Sequence, residues 1–183
     1  MEGLPLVRKL FESTSMKTIA LMLFSFLPFF GNAAERLDVG ERLPDVTCND
    51  QDGNPVNVAQ FGAQGYLLVY FYPKANTPGC TKQGCSLRDN WEALTKMGVK
   101  VLGVSTDNEE SQKSFKKSQN FPFSLLADKD KKVIKAFHVS LMGFGFASRS
   151  AYLFKDGVCV MADYDGHTGD QAQQVINFLS GKK

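Results

Sequence analysis

An apolar stretch that leads directly into a helical pattern constrains this chain more than any other feature. Residues Tyr66 to Tyr72 (YLLVYFY) form a run of seven apolar or aromatic residues, long enough for a strand buried on both faces and too short for a typical helix. We expect the strand to end at Pro73. Residues 80–97 contain no proline and space their large apolar side chains by four and three, which predicts a helix with Thr77 as N-cap and Pro78 as first helical residue.

Cys80 lies in the first turn of this predicted helix. The unpaired backbone N–H groups and the positive end of the helix dipole there favour a thiolate over a thiol. At pH 7 an ordinary thiol is about 3 % ionised, so complete ionisation raises the reactive fraction only about 30-fold. A fast thiol enzyme therefore also needs hydrogen-bond donors aimed at the atoms that gain charge as the sulfur attacks.

Residues 71–85, FYPKANTPGCTKQGC, resemble the active-site segment of a known family. Pro73, Thr77 and Cys80 match the P-x3-T-x2-C spacing of the peroxiredoxins, and the longer string is similar to the peroxiredoxin Q group, also called bacterioferritin comigratory protein. The resemblance implies that Cys80 is the peroxidatic cysteine, that Thr77 holds the peroxide and that Pro73 shields the sulfur from water. It also implies that Cys85 is the resolving thiol.

The same resemblance implies an enzyme and its partners. The substrate would be hydrogen peroxide or an organic hydroperoxide, and the electrons would come from a thioredoxin-like dithiol protein. No metal, haem, flavin or nicotinamide would be required on this chain. The group also implies a monomer.

The spacing of Cys80 and Cys85 has a geometric consequence. Five residues apart on an ideal helix, their Cα atoms would be roughly 8 to 9 Å apart, whereas a disulfide needs less than about 7 Å. A bond between them therefore requires the first turns of the helix to unwind.

Other uses of this cysteine pair stay open. One is a plain structural disulfide in a non-enzymatic domain, and another is thiol–disulfide exchange or redox sensing. A zinc site has little support, because C-x4-C is looser than the usual zinc spacing and neither His138 nor His167 has a second ligand nearby in the sequence.

Arg149 is a further candidate site residue. It opens a predicted buried strand, Arg149 to Lys155 (RSAYLFK), where an unpaired arginine would be costly. The peroxiredoxin resemblance implies an arginine here that reaches the peroxidatic sulfur, stabilises its thiolate and donates to the peroxide oxygens. The alternative is a surface arginine at the end of a strand.

Two further features have both a structural and a functional interpretation. Cys48 and Cys159 lie on predicted strands; we expect small buried hydrophobic residues, the alternatives being a disulfide between them or a rescue thiol for Cys80. Residues 141–146 (LMGFGF) form an apolar loop with two glycines. Ordinary loop packing explains it, and the functional alternative is a rim of the active site that favours bulky organic hydroperoxides or a partner protein.

The order of the predicted elements indicates the fold class. Strands and helices alternate through the middle of the chain, which predicts an α/β fold with a mixed central sheet flanked by helices. The thioredoxin-like fold is what the peroxiredoxin resemblance implies, over about residues 44–179 of a single domain at 35–183. Besides the central strand and the helix after it, we predict strands at 46–49, 55–58, 99–104, 149–155 and 158–164, with a hairpin turn at Asp156-Gly157, and a short strand or extended segment at 121–127. Helices are predicted at 109–119, 128–137 and 169–179, the last capped by Thr168.

Residues 1–34 have the pattern of a secretory signal peptide. Lys17 precedes a mostly apolar run of twelve residues at 19–30, followed by the small-x-small pair Gly31 and Ala33. Twelve residues cannot cross a bilayer core, which takes about twenty. We therefore expect cleavage after residue 33 or 34 and export, most simply to a periplasm. Residues 1–15 would be an upstream extension or a misplaced start, and an uncleaved membrane-associated anchor is the alternative.

The net charge of the processed chain argues against binding to nucleic acid or to a membrane surface. Residues 1–34 hold three of the 21 basic and two of the 19 acidic side chains, so the processed chain has a net charge of +1. So near-neutral a chain shows no basic footprint for nucleic acid or for a membrane surface.

Overall fold

The computed structural model describes residues 36–182, so the predicted signal peptide lies outside the described residues and stays a prediction. No helix among the described residues is long and apolar enough to cross a bilayer. In chain order, the elements are β1 (Thr47–Asn49), β2 (Pro55–Asn57), α1 (Val58–Phe61), β3 (Tyr66–Phe71), α2 (Pro78–Asp89), α3 (Trp91–Lys96), β4 (Val99–Ser105), α4 (Glu109–Gln119), β5 (Ser124–Ala127), α5 (Lys132–Ala136), β6 (Leu141–Met142), β7 (Phe146–Ala147), β8 (Ser150–Lys155), β9 (Val158–Asp163) and α6 (Gln171–Leu179).

The central sheet has five strands in the order β5-β4-β3-β8-β9. β3 pairs parallel with β4 and antiparallel with β8, β4 pairs parallel with β5, and β8 pairs antiparallel with β9. The β8–β9 turn is at Asp156 and Gly157, whose φ angles of 50° and 77° suit a tight hairpin. The predicted α/β fold with a mixed sheet is confirmed, and so is the hairpin.

The central strand is buried because its side chains alternate between two hydrophobic clusters. Leu68 and Tyr70 belong to one cluster, which includes side chains of α2, α3, α4 and α6. Leu67, Val69 and Phe71 belong to the other, which includes side chains of α1 and α5. Each of these five residues is 0 % exposed, and burying such a side chain contributes about 1.5–3 kcal/mol. β3 therefore anchors both faces of the sheet, and it ends at Phe71, two residues before Pro73.

The helix predicted over residues 80–97 is wrong in one respect, since the structure has two helices there. Asn90 separates α2 from α3 with φ −106° and ψ 16°, and its side-chain amide donates to the Ser86 carbonyl. This local bond competes with the helical ladder and ends α2.

Other elements also differ from the prediction; β5, for example, begins at Ser124 and not at residue 121. α1 was not predicted; the Asn57 side chain accepts the N–H of Gln60 and so caps a one-turn helix. α5 is shorter than predicted, because Asp128 accepts the N–H of Lys132 from outside the helix. Thr168 does not cap α6, which begins after Asp170.

Candidate active site

Cys80 lies where the central strand passes into α2. Pro78 is the first residue of α2 and Thr77 is at the N-cap position, so Cys80 is in the first helical turn. Its side chain is 1 % exposed and belongs to the same cluster as Tyr70 and Tyr72 of the strand segment. The sulfur is therefore shielded from water and lies beside the N-terminal N–H groups of a helix.

Arg149 contacts the sulfur of Cys80. It directly precedes β8, whose first residue, Ser150, pairs with Phe71 at the end of β3. This register places Arg149 beside the start of α2, where Nη2 donates to Cys80 Sγ at 3.4 Å and Nη1 donates to Gln83 Oε1 at 2.6 Å. The side chain is half-buried, unlike that of a surface arginine at a strand end.

Two glycines allow Arg149 to take this position. A Cβ added to Gly79 would lie 3.2 Å from Arg149 Nη2, and Gly166 packs so closely on the aliphatic stem of Arg149 that it has no room for a Cβ. Gly166 also has φ +62°, which disfavours other residues. Gly79 thus lies beside the guanidinium of Arg149, and Gly166 lies against its aliphatic stem.

Thr77 and Pro73 lie on the loop between β3 and α2, and both are half-buried. The Thr77 hydroxyl donates to the Lys74 carbonyl at 2.9 Å and makes no capping hydrogen bond to α2. Asp107 Oδ2 fixes this loop by accepting the Ala75 N–H at 2.8 Å. Because the Thr77 proton is directed at the Lys74 carbonyl, the hydroxyl oxygen has lone pairs left to accept a hydrogen bond from another group.

Cys85 lies further along α2 and is half-buried, with its sulfur 3.7 Å from Gln119 Oε1. α2 is continuous over Cys80 and Cys85, and all four cysteines of the chain are free thiols. A Cys80–Cys85 disulfide therefore requires α2 to leave this conformation, as helix geometry predicts.

Cys48 and Cys159 belong to the cluster on the opposite side of the sheet from Cys80. Burial raises the pKa of Cys48 to about 12 and that of Cys159 to about 11. Both side chains are therefore thiols at neutral pH, which favours the interpretation as small hydrophobic residues over the rescue thiol.

The apolar loop at residues 141–146 carries β6 and the start of β7. Phe144 is 98 % exposed, and the ring centroid of Phe146 is 5.7 Å from Nζ of Lys74 on the active-site loop. The loop therefore contacts the β3–α2 connection through Phe146, while Phe144 faces solvent.

Two buried glutamines beside the site were not predicted. Gln83 lies three residues after Cys80 on α2, and its Nε2 donates to Gln171 Oε1 of α6 at 2.9 Å. The spacing of three, which puts side chains on one helix face, is a signal that could have indicated Gln83. No comparable sequence signal indicates Gln171, which is 88 residues away from Gln83.

Comparisons with known proteins identify the family of this chain. Residues 39–162, which include Cys80 and Arg149, match the AhpC/TSA family. The chain is 41 % identical over 150 residues to peroxiredoxin Bcp of Escherichia coli, covering 78 % of this chain and 96 % of that protein. It is 40 % identical over 131 residues to peroxiredoxin bcp1 of Schizosaccharomyces pombe, covering 70 % and 67 % respectively.

Solved structures show the same similarity. Peroxidoxin BcpB from Mycobacterium tuberculosis superposes with a TM-score of 0.73 at 25 % identity, covering 80 % of this chain and 99 % of that one. A cysteine-to-serine variant of Xylella fastidiosa PrxQ has a TM-score of 0.73 at 27 % identity, covering 79 % and 96 %. The matches extend over nearly the whole of each solved chain.

Proposed function

This chain belongs to the AhpC/TSA family, within the peroxiredoxin Q group of thiol peroxidases with a thioredoxin-like fold, and from that premise we propose that Cys80 attacks the peroxide and Cys85 resolves the product. The observation that carries the proposal is the contact between Arg149 Nη2 and Cys80 Sγ at the N-terminus of α2. The guanidinium and the N-terminal N–H groups of α2 meet at one buried sulfur, where they stabilise the negative charge that moves during attack on the peroxide.

In the first step the Cys80 thiolate attacks one peroxide oxygen. An S–O bond forms as the O–O bond breaks, so the sulfur is oxidised by two electrons to a sulfenic acid. The other oxygen leaves as water or alcohol after taking a proton from solvent, which balances the proton that the Cys80 thiol released to solvent on ionising. Arg149 stabilises the negative charge that moves from sulfur to the leaving oxygen. The Thr77 oxygen accepts a hydrogen bond from the peroxide O–H, because its own proton is directed at Lys74. Pro73, half-buried on the same loop, limits access of water to the sulfur.

In the second step Cys85 attacks the oxidised sulfur. The S–S bond forms, and the sulfenic oxygen leaves as water with a proton from the Cys85 thiol. Both cysteines lie on the intact α2, so this step follows local unwinding of α2. Gln83 lies between the two cysteines, so we expect resolution to break its hydrogen bond with Gln171 of α6.

A thioredoxin-like dithiol protein then reduces the disulfide by thiol–disulfide exchange. The substrates we propose are hydrogen peroxide and organic hydroperoxides. A bacterioferritin comigratory protein of known structure from Xanthomonas campestris, 28 % identical to this chain, has alkyl peroxide reduction activity. The signal-peptide pattern in residues 1–34 supports export to a periplasm, and the resemblance to the peroxiredoxin Q group supports a monomer.

A peroxide-consumption assay with a chemical dithiol tests the roles of the cysteines. We expect Cys80→Ser to abolish turnover, and Cys85→Ser to retain rapid sulfenic acid formation while losing most of its turnover. Cys48→Ser is the matched control and should keep the parent rate. Parental turnover in Cys80→Ser would contradict the proposal. Trapped mixed disulfides at Cys80 without peroxide consumption by the parent would instead favour a thiol-exchange protein.

Export has a separate test. The exported protein should begin at residue 34 or 35, as read by N-terminal sequencing of the periplasmic fraction. A start before residue 30 would contradict cleavage and favour the membrane-associated anchor.

A further inference from the structure

A chain of side-chain hydrogen bonds runs from α6 to the sulfur of Cys80. Arg149 donates through Nη2 to Cys80 Sγ at 3.4 Å and through Nη1 to Gln83 Oε1 at 2.6 Å. Gln83 Nε2 donates to Gln171 Oε1 at 2.9 Å, and Gln171 Nε2 donates to Gln174 Oε1 at 2.7 Å. Gln83 and Gln171 are both 0 % exposed.

Arg149 decides which atoms donate and which accept along this chain of hydrogen bonds. A guanidinium has only donors, so Gln83 must present its carbonyl oxygen to Arg149 and its NH2 group must point toward Gln171. Gln171 must in turn present an oxygen to that NH2 group. If Gln171 offered no acceptor, the buried NH2 group of Gln83 would have no partner in this arrangement, and a rotated or displaced amide would no longer hold Arg149.

A purely structural role does not account for a glutamine at position 171. α6 is already docked on α2 by the Ala172 N–H, which donates to Ser86 Oγ at 3.1 Å, and by the apolar side chains of Ala172 and Val175. Burying an amide costs free energy unless each polar atom finds a partner. The partners of Gln171 lead to Arg149, which indicates that its orientation serves the active site.

We propose that Gln171 is a positioning residue for the peroxidase reaction: by accepting from Gln83 it directs the Gln83 carbonyl oxygen at Arg149 and so keeps the guanidinium on the Cys80 sulfur. It acts through two other side chains and touches neither sulfur nor peroxide. The inference rests on the proposed roles of Cys80 and Arg149. Because Gln83 lies between Cys80 and Cys85, this chain of hydrogen bonds is intact only while α2 is helical.

The test compares two changes at the same α2–α6 interface. Gln171→Met removes the oxygen that accepts from Gln83, with little change in side-chain shape. Ser86→Ala is the matched control, since it removes the contact with the Ala172 N–H and leaves the hydrogen bonds from Gln171 to Arg149 in place. Both are made in a Cys85→Ser background so that Cys80 is the thiol followed at this site. Tyr70 and Tyr72 are ionisable groups in the same cluster as Cys80. Burial raises the pKa values of both, so they stay neutral across the pH range of the experiment.

The readouts are the rate of Cys80 oxidation by hydrogen peroxide and the pH profile of that rate. We expect Gln171→Met to slow the oxidation about three-fold, because the guanidinium is then less firmly held at the sulfur and the leaving oxygen. Ser86→Ala should lower the melting temperature and leave both readouts at parent values.

Three outcomes would overturn the inference in distinguishable ways. Equal effects of Gln171→Met and Ser86→Ala would show that Gln171 only supports the interface. A rate of Cys80 oxidation lowered by Arg149→Ala and not by Gln171→Met would remove the role of Gln171 while leaving those of Cys80 and Arg149. An unchanged rate in both variants would contradict the proposed roles of Cys80 and Arg149 as well.

Discussion

The guanidinium of Arg149 lies 3.4 Å from the sulfur of Cys80, although 69 positions separate the two residues in the sequence. The register of the sheet brings them together, because the start of β8 pairs with the end of β3 and both adjoin the first turn of α2. Strand pairing therefore places the guanidinium of Arg149 beside the Cys80 sulfur, and its hydrogen bond to Gln83 holds it there.

Replacing Arg149 should slow the first step of the reaction. A hydrogen bond to a charged group is worth about 1.5–3 kcal/mol, so Arg149→Ala should lower the rate of Cys80 oxidation by about 10- to 100-fold. The rate of Arg149→Lys should fall between those of the parent and Arg149→Ala, because an ammonium keeps the charge and lacks the planar fork that reaches both Cys80 and Gln83. Stopped-flow oxidation by hydrogen peroxide measures this. Arg42, an exposed arginine, supplies the control Arg42→Ala, and a rate for Arg149→Ala within two-fold of that control would contradict the prediction.

Disulfide formation should loosen α2. Because Cys80 and Cys85 cannot bond on an intact helix, amide hydrogen exchange over Cys80 to Asp89 should be much faster in the oxidised than in the reduced protein. Exchange in α4, which contains neither cysteine, is the internal control. Identical exchange over Cys80 to Asp89 in both forms would show that the two sulfurs do not bond by unwinding this helix.

Tyr70 and Tyr72 should respond oppositely to loss of their hydroxyl groups. Their rings stack with centroids 5.5 Å apart. The buried hydroxyl of Tyr70 has no hydrogen-bond partner among residues 36–182, whereas that of Tyr72 donates to Gln112. Tyr70→Phe should therefore leave the free energy of unfolding unchanged or raise it, whereas Tyr72→Phe should lower it by about 1–3 kcal/mol, since the Gln112 oxygen loses its donor. Urea unfolding measures both, and equal losses in the two variants would contradict the assignment.

The pair of Asp163 and His167 should make stability depend on pH. His167 Nδ1 lies 3.0 Å from Asp163 Oδ2, and this hydrogen bond raises the pKa of His167. Burial alone would raise the pKa of Asp163, but hydrogen bonds from the His167 side chain and from the backbone of Gly166, His167 and Asp165 hold it below its ordinary value. The segment between the pair carries Gly166, which packs on Arg149.

The pH dependence of stability follows from the directions of the two pKa shifts. The contribution of His167 is fully present below its unfolded pKa of about 6.5 and is lost as pH rises through its higher folded pKa. That of Asp163 is present above about pH 3.9 and is lost as pH falls through its lower folded pKa. The parent should therefore exceed His167→Gln in melting temperature by more at about pH 5.5 than at about pH 9. An equal difference at the two pH values would exclude the ion pair as the cause.

Local chemistry explains which parts of the fold were predictable. The seven apolar residues of the central strand, the proline and threonine before Cys80 and the Asp-Gly turn act on their immediate neighbours, so strand, helix start and hairpin could be predicted from the sequence. The resemblance to the peroxiredoxins, carried by residues 71–85, is confirmed by the family match. The break at Asn90 and the later start of α6 were missed, because short side-chain hydrogen bonds and packing override helical periodicity there.

The sequence by itself therefore singled out Cys80 as the candidate and determined its place in the first turn of a helix and the α/β class, because each depends on residues close together in the chain. Only the tertiary structure decided which groups surround the sulfur. Arg149 and Gln171 reach it, directly and through Gln83, because strand register and the docking of α6 join distant segments. Local periodicity carries no information about such contacts, since they depend on how the completed sheet and helices pack.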